Sequence, residues 1–136
     1  MHTVTTHGAD DEAARTAALE DVLQRWASAI ADRRLDDIAA VFTDDAIFQG
    51  SAPTYSVGRA GVAAYYGARP LGLRAEYRVR ETRALGDEAF SAYVDVDFGH
   101  TDGSIDPTHL TLVLVHRDDW LIQQYHVSKV TAPKPA

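Results

Sequence analysis

Residues 73–98 read LRAEYRVRETRALGDEAFSAYVDVDF, and apolar and polar side chains alternate along most of this stretch. A period of two indicates β-strands with one buried face and one exposed face. The turn LGDE between the two alternating runs predicts an antiparallel hairpin. If Ala84 pairs with Ala89, charged and apolar positions match across the hairpin. The opposed pairs are then Arg78 with Asp95 and Val79 with Val94.

The rest of the chain supplies helices before this hairpin and strands after it. Apolar residues at spacings of three and four predict helices; these are Ala13–Ala31, Leu35–Phe42 and Arg59–Gly67. Residues 51–58 are predicted to form a loop. Further strands are predicted at Ala46–Gln49, Thr108–His116 and Trp120–Val130. The expected fold class is α+β, with three N-terminal helices covering one face of an antiparallel sheet.

Length and composition exclude several classes of protein. The 136 residues suit a single domain over 1–136, with flexible ends at 1–11 and 131–136. The absence of cysteine excludes disulfides and thiolate metal sites, and the net charge of -7 disfavours a nucleic-acid partner. No apolar run approaches the roughly 20 residues that a membrane span needs. A cytoplasmic protein without a membrane partner is therefore expected.

The closing strand, WLIQQYHVSKV at 120–130, divides into two faces by the same alternation. Trp120 and Ile122 are bulky partners for the helices, so we assign their face to the helix-covered side of the sheet. That assignment also places three polar side chains inward: Gln124, His126 and Ser128.

The opposite face of the sheet is expected to be an interface. Tyr125 and Val127 from the closing strand and Tyr93 from the hairpin are assigned to it. This aromatic and apolar surface predicts a homodimer.

Three segments and the order of the elements carry a family resemblance. The segments are QRWASAIADRRLDDIAAVFTDDAIFQG at 24–50, GRAGVAAYYGA at 58–68 and W-x-I-x-Q-Y-H-V-S at 120–128. They resemble the nuclear transport factor 2-like superfamily, nearest to its SnoaL-like branch and to small proteins of actinobacterial antibiotic clusters, including enediyne ones. The resemblance implies a cone-shaped fold whose curved, mostly antiparallel sheet encloses a pocket.

Ketosteroid isomerases of this superfamily use a tyrosine, a carboxylate base and a protonated carboxylic acid. By resemblance, the tyrosine position falls on Trp26 and the base on Gly50 beside Gln49. The acid falls on Thr108 or Leu110. Because all three chemical groups are missing, we do not expect that isomerisation by that machinery.

SnoaL-type cyclases imply a different arrangement, in which an acid on the last strand is the base. The last strand here has no carboxylate on the face assigned inward, and His126 is its titratable group near neutral pH. His126 is therefore the candidate catalytic residue. A ligand contact and a hydrogen-bonded structural histidine remain open alternatives.

The expected ligand contacts are aromatic or polar side chains on the inward face. They are Trp26, Gln49, Tyr65, Tyr66, Tyr77, Gln124 and Ser128. For the aromatic ones, plain core packing is the alternative, and for Gln49 the alternative is a hydrogen-bonded strand terminus. The acids Asp95 and Asp97 are expected to pair with arginines, and no spacing fixes three ligands around one centre, so neither a metal nor a cofactor is expected.

The resulting hypothesis is a pocket protein of natural-product biosynthesis. Its partner would be an apolar small molecule, polyketide-like or aromatic, and its activity that of a cofactor-independent cyclase or isomerase. The alternative is a non-catalytic binding, carrier or sequestration protein of the same pathway.

Overall fold

The computed structural model describes residues 4–131, with side chains from residue 11 onward. Parts of the two ends expected to be flexible lie outside this range. The first helix begins at Val4, well before the predicted start at Ala13. No helix in the described range is both long enough and apolar enough to cross a membrane.

In the part of the chain that the structure describes, three helices pack on one face of the sheet, as predicted. They are α1 (Val4–Ala31), α2 (Leu35–Ala40) and α3 (Arg59–Gly67). The predicted apolar stripe of α1 is buried; it comprises Leu19, Val22, Leu23, Trp26 and Ile30. Helix α2 ends before Phe42, which instead begins the first strand.

Six strands form one sheet within the described residues. Their bounds are β1 Phe42–Gln49, β2 Ser56–Val57, β3 Arg74–Ala84, β4 Ala89–Gly99, β5 Ile105–His116 and β6 Trp120–Lys129. They lie in the order β2-β1-β6-β5-β4-β3. Only the β1–β6 pair is parallel among the strands described. The short β2 lies within the predicted loop. The α+β class and the mostly antiparallel sheet are confirmed.

The β3–β4 hairpin has the predicted register over its first part. Arg78 lies opposite Asp95 and Val79 opposite Val94. An irregularity at Arg80 then shifts the pairing, so Ala84 lies opposite Phe90 and not Ala89. The expected ion pairs are present on the outer face, namely Arg78–Asp97 at 3.3 Å and Arg80–Asp95 at 2.7 Å.

A bulge in β6 reverses the faces of its second half. Val113 pairs with Gln124 while Leu114 pairs with Ile122, so Gln123 is the extra residue. One additional residue exchanges the two faces of a strand beyond it. The inward assignment of Trp120 and Ile122 is therefore correct.

Beyond the bulge the predicted faces are wrong. Tyr125 and Val127 are buried on the helix side, and the polar side chains lie outward; these are Gln124, His126 and Ser128. The predicted dimer surface thus loses Tyr125 and Val127 and keeps Tyr93, which is 40% exposed.

Candidate functional site

The interior of the cone is largely filled by aromatic rings joined by hydrogen bonds. Trp26 Nε1 donates to the hydroxyl of Tyr66 at 3.2 Å, and that hydroxyl lies 3.2 Å from the hydroxyl of Tyr125. Phe48 stacks on Tyr125 with ring centroids 4.5 Å apart. Burial raises the pKa of both phenols well above the ordinary tyrosine value, so both are neutral donors at neutral pH.

A cavity of about 110 Å³ lies above these phenols, between the end of α3 and the ends of β4, β5 and β6. Its apolar walls are Tyr65, Tyr66, Pro70, Leu73, Phe98, Tyr125 and Val127. Its polar lining is Ser51, Arg69, His100, Asp106, Thr108 and Lys129. Apolar walls with a few converging polar groups are typical of a small-molecule site.

A larger depression of about 480 Å³ lies beside this cavity and shares His100 with it. Charged side chains of the outer sheet surface line it, among them Arg74, Glu76 and Asp97. Its apolar side chains are only Ala31 and Ile105, and it has no aromatic wall. We therefore assign the candidate site to the smaller cavity, whose walls are mostly aromatic and apolar.

A histidine–aspartate pair stands at the mouth of the cavity. His100 Nε2 lies 2.9 Å from a carboxylate oxygen of Asp106. The tight turn between β4 and β5 brings the two residues together, because the His100 amide donates to the Ser104 carbonyl and the Gly103 amide to the His100 carbonyl, each at 3.0 Å. Gly103 has φ +87°, a conformation that favours glycine.

The same turn is held by a second carboxylate. Asp102 accepts hydrogen bonds from the hydroxyl and the amide of Ser104, at 2.6 and 2.9 Å. These hydrogen bonds lower the pKa of Asp102. Asp102 is therefore occupied with the turn and does not contribute to the cavity.

Arg69 brings to the cavity a guanidinium that forms no ion pair with a described residue. Its Cζ lies 4.4 Å from the centroid of the Tyr65 ring, a cation–π contact. Its Nε is buried and has no hydrogen-bond partner in the described part of the chain. Arg33 fixes the adjoining backbone by donating to the carbonyls of Gly67 and Arg69, at 2.8 and 3.2 Å.

Tyr65 is fixed from the other side. Its hydroxyl accepts from the Ser51 amide at 3.0 Å and lies 2.9 Å from the Ser51 hydroxyl. Gly50 allows this close approach, because a Cβ there would lie 2.4 Å from the Tyr65 ring. Tyr65 therefore serves as a rigid wall of the cavity.

Some of the predicted ligand contacts lie at the cavity and others do not. Tyr65 and Tyr66 line the cavity, and Trp26 lies beneath it through its bond to Tyr66. Tyr77 is half-buried on the helix side but does not line the cavity; burial, with the Glu20 charge adding, raises its pKa.

The remaining predicted residues lie on the outer face. Gln124, His126 and Ser128 are turned outward by the β6 bulge. Gln49 pairs with His126 across β1 and β6, and its amide donates to the carbonyls of Gly50 and Ala52. Gln49 is thus the hydrogen-bonded strand terminus that was its alternative. The predicted inward positions of Gln124, His126 and Ser128 are wrong, so His126 cannot touch a molecule in the cavity.

Sequence reasoning missed four residues that give the cavity its chemistry: Arg69, His100, Asp106 and Tyr125. One signal in the sequence pointed to this part of the sheet: Thr108, which lines the same cavity, occupies a position that the isomerase resemblance assigned to an acid. Thr108 lines the cavity, although its hydroxyl donates to the Val96 carbonyl at 2.8 Å. Among the residues described, no group of three or more histidine or acidic side chains could hold a metal ion.

Fold and cavity together define a cone-shaped fold with an internal pocket, of the nuclear transport factor 2-like type. The chain belongs to the SnoaL-like domain family, whose family model matches residues 19–133. A comparison with curated protein sequences finds no match.

Several solved structures share the fold at low sequence identity. A ketosteroid isomerase-like protein from Erwinia carotovora atroseptica is 16% identical over 85% of this chain and 96% of that chain, with TM-score 0.71. A candidate scytalone dehydratase from Novosphingobium aromaticivorans is 13% identical over 90% and 89%, with TM-score 0.74. A hexachlorocyclohexane dehydrochlorinase from Novosphingobium barchaimii is 16% identical over 88% of each chain, with TM-score 0.73.

Proposed function

We propose that this protein is a cytoplasmic, cofactor-independent enzyme of isomerase or dehydratase type, which moves a proton on an apolar or aromatic small molecule. The single observation that carries the proposal is the His100–Asp106 pair at the mouth of an aromatic-walled cavity. The names of the three similar structures denote an isomerase-like protein, a dehydratase and a dehydrochlorinase. Loss of water or hydrogen chloride, like isomerisation, commonly begins with removal of a proton from carbon.

His100 is the proposed base. Because Nε2 is hydrogen-bonded to Asp106, the carboxylate selects the tautomer with the proton on Nε2 and leaves the lone pair on Nδ1. No residue in the described range hydrogen-bonds to Nδ1. In the proposed step, Nδ1 takes a proton from a substrate carbon next to a carbonyl, and Asp106 stabilises the imidazolium that forms.

The phenol pair is the proposed partner for the negative charge that develops. The electron pair of the broken C–H bond moves toward the carbonyl oxygen. The Trp26 indole only donates, and one phenol of the pair donates to the other. One O–H proton of Tyr66 and Tyr125 therefore has no acceptor among the residues described, and both side chains line the cavity. That proton would stabilise an enolate oxygen.

Natural-product biosynthesis is the proposed setting. The resemblance to SnoaL-like proteins of actinobacterial antibiotic clusters, including enediyne ones, supports a polyketide-like or aromatic substrate. The aromatic cavity walls support the same class. The cavity of about 110 Å³ is smaller than the apolar cavity of about 150 Å³ that can hold benzene. It therefore suits a short chain or part of one ring, with the rest of the molecule outside. We also propose that the outer sheet face joins two copies into a homodimer.

Hydrogen–deuterium exchange of a simple ketone tests the reaction. Acetophenone in heavy water, followed by NMR, reports proton removal from its methyl carbon. We expect the protein to accelerate the exchange. Replacing the base, His100→Gln, should reduce the enzymatic rate by about 10²- to 10⁴-fold.

The matched control is His126→Gln, the same substitution on the outer face. It should leave the exchange rate unchanged. Acetophenone binding without accelerated exchange would favour the alternative of a non-catalytic carrier or sequestration protein. An equal loss of exchange in both variants would remove His100 from the proposed role.

A further inference from the structure

Arg69, which lines the cavity, differs in its contacts from the surface arginines that bind acids. Most arginines with described contacts pair with acids on the surface; they are Arg25, Arg34, Arg78, Arg80 and Arg83. Arg69 contacts no carboxylate in the described range, although the chain carries a net charge of -7. Its guanidinium lies over the Tyr65 ring, and its side chain lines the cavity. A partly buried cation without a counter-ion, beside an empty space, is suited to an anion.

The surroundings of Arg69 add positive charge to the same space. Lys129 also lines the cavity and carries a positive charge, and Asp106 is the one acid lining it in the described chain. The His100 ring already occupies Asp106. The cationic donors of the lining are those of Arg69 and Lys129, and the planar fork of an arginine matches a carboxylate.

The position of Arg69 depends on an unusual residue at the end of α1. The Arg33 amide donates to the Ile30 carbonyl, and the Arg34 amide donates to the Ala29 carbonyl. These two hydrogen bonds form a Schellman motif with Arg33 at the left-handed position. Arg33 has φ +53°, where glycine is the usual residue. An arginine at this point supplies the side chain that holds the carbonyls of Gly67 and Arg69.

We propose that the cavity selects small carboxylates with an apolar or aromatic body, that Arg69 binds the carboxylate, and that Arg33 is its positioning residue. This inference rests on the proposed function, because it names the substrate class of the same site. The apolar body lies against Tyr65, Phe98 and Tyr125, and the carboxylate accepts from the Arg69 guanidinium.

Benzoate and benzamide form the test pair, because they have nearly the same shape and differ in charge. Their affinities are measured by NMR titration at low salt. A charge-assisted hydrogen bond predicts that benzoate binds about 10-fold or more tightly than benzamide. Arg69→Gln should bring the ratio of affinities close to one, and Arg69→Lys should leave an intermediate ratio because the charge remains without the planar fork.

Two further variants separate a local role from a general one. Arg117→Gln removes the same charge from an exposed turn and should keep the selectivity for benzoate. Arg33→Gly keeps the left-handed turn and removes the side chain that holds Arg69. It should lower the benzoate preference and leave benzamide binding unchanged, a separation that loss of folding would not produce.

The outcomes distinguish this inference from the proposed function. Equal binding of benzoate and benzamide by the unmodified protein would overturn the carboxylate selectivity, while acetophenone exchange could still support the enzyme. Unchanged selectivity in Arg69→Gln would show that another group holds the anion. Binding of neither compound, together with no exchange, would contradict both proposals.

Discussion

Two histidine–aspartate pairs of nearly equal length lie in different parts of this molecule. His100 and Asp106 are 2.9 Å apart at the cavity, and His109 and Asp95 are 2.8 Å apart on the outer face. The two pairs differ in which partner is more exposed to solvent. At the cavity the histidine side chain is 23% exposed and the aspartate 50%, whereas outside the histidine is 46% exposed and the aspartate 18%.

The difference separates a reactive arrangement from a structural one. On the outer face Asp95 is the central group, because Arg80 and His109 both bind it and together lower its pKa, with Arg80 contributing most. Tyr93 stacks on the His109 ring with centroids 5.7 Å apart. At the cavity the imidazole is the shielded group, beside apolar walls and neutral phenols. The hydrogen bond alone therefore does not define a base; the adjoining space for a substrate does.

Removing the carboxylate of each pair in turn should give the largest difference in activity between the two pairs. Asp106→Asn should lower acetophenone exchange by about 10- to 10²-fold, less than the roughly 10⁴-fold known for a buried triad aspartate, because Asp106 is half exposed. Asp95→Asn should leave the exchange rate unchanged. The exchange rate of each variant at matched protein concentration is the measurement. A larger loss in Asp95→Asn than in Asp106→Asn would reverse the assignment of the two pairs.

The alkaline side of the stability curve sharpens the contrast between the inner and outer faces. The folded-state pKa values of Tyr66 and Tyr125 lie above the unfolded value of about 10. Their contribution to stability is therefore fully present below about pH 10 and is lost as the pH rises above it. A pH titration of tyrosinate absorbance, with circular dichroism alongside, should show these two phenols ionising only as the protein unfolds.

Phenylalanine variants identify the groups. Tyr66→Phe and Tyr125→Phe should each remove one tyrosinate from the unfolding step, because both phenols are buried. Ionisation of all tyrosines before any loss of structure would contradict the buried phenol pair.

The sequence predicted the fold well because its alternating segments are long. The paired charges of Arg78 and Asp95 and the apolar pair of Val79 and Val94 determine one register over the first part of the hairpin. A single extra residue was harder to detect. In β6 the large apolar side chains stand at 120, 122, 125 and 127, and the interval of three between Ile122 and Tyr125 marks the bulge. An assignment that keeps a strict period of two ignores this interval. It therefore places every later residue on the wrong face of the strand.

The same reasoning explains why the candidate site was only partly predicted. His100 continues the inward parity of Phe98, and Asp106 continues that of Thr108. Starting the strand at Thr108 left Asp106 in a loop, so its approach to His100 could not be inferred. Arg69 follows a helix without any periodic pattern, and its role depends on Arg33, 36 residues earlier in the chain. Tertiary contact of that kind has no local signal.

The smallest expected effect on the chemistry concerns the outer face itself. If that face joins two copies, light scattering at micromolar concentration should give a mass near twice 14.9 kDa. Tyr93→Asp should weaken the association, because it places a charge beside Asp95 and removes the exposed ring that stacks on His109. Acetophenone exchange per chain should hardly change, since Tyr93 does not line the cavity. A monomeric mass for the unmodified protein would contradict the dimer, and a strong loss of exchange in Tyr93→Asp would show that the two faces are not independent.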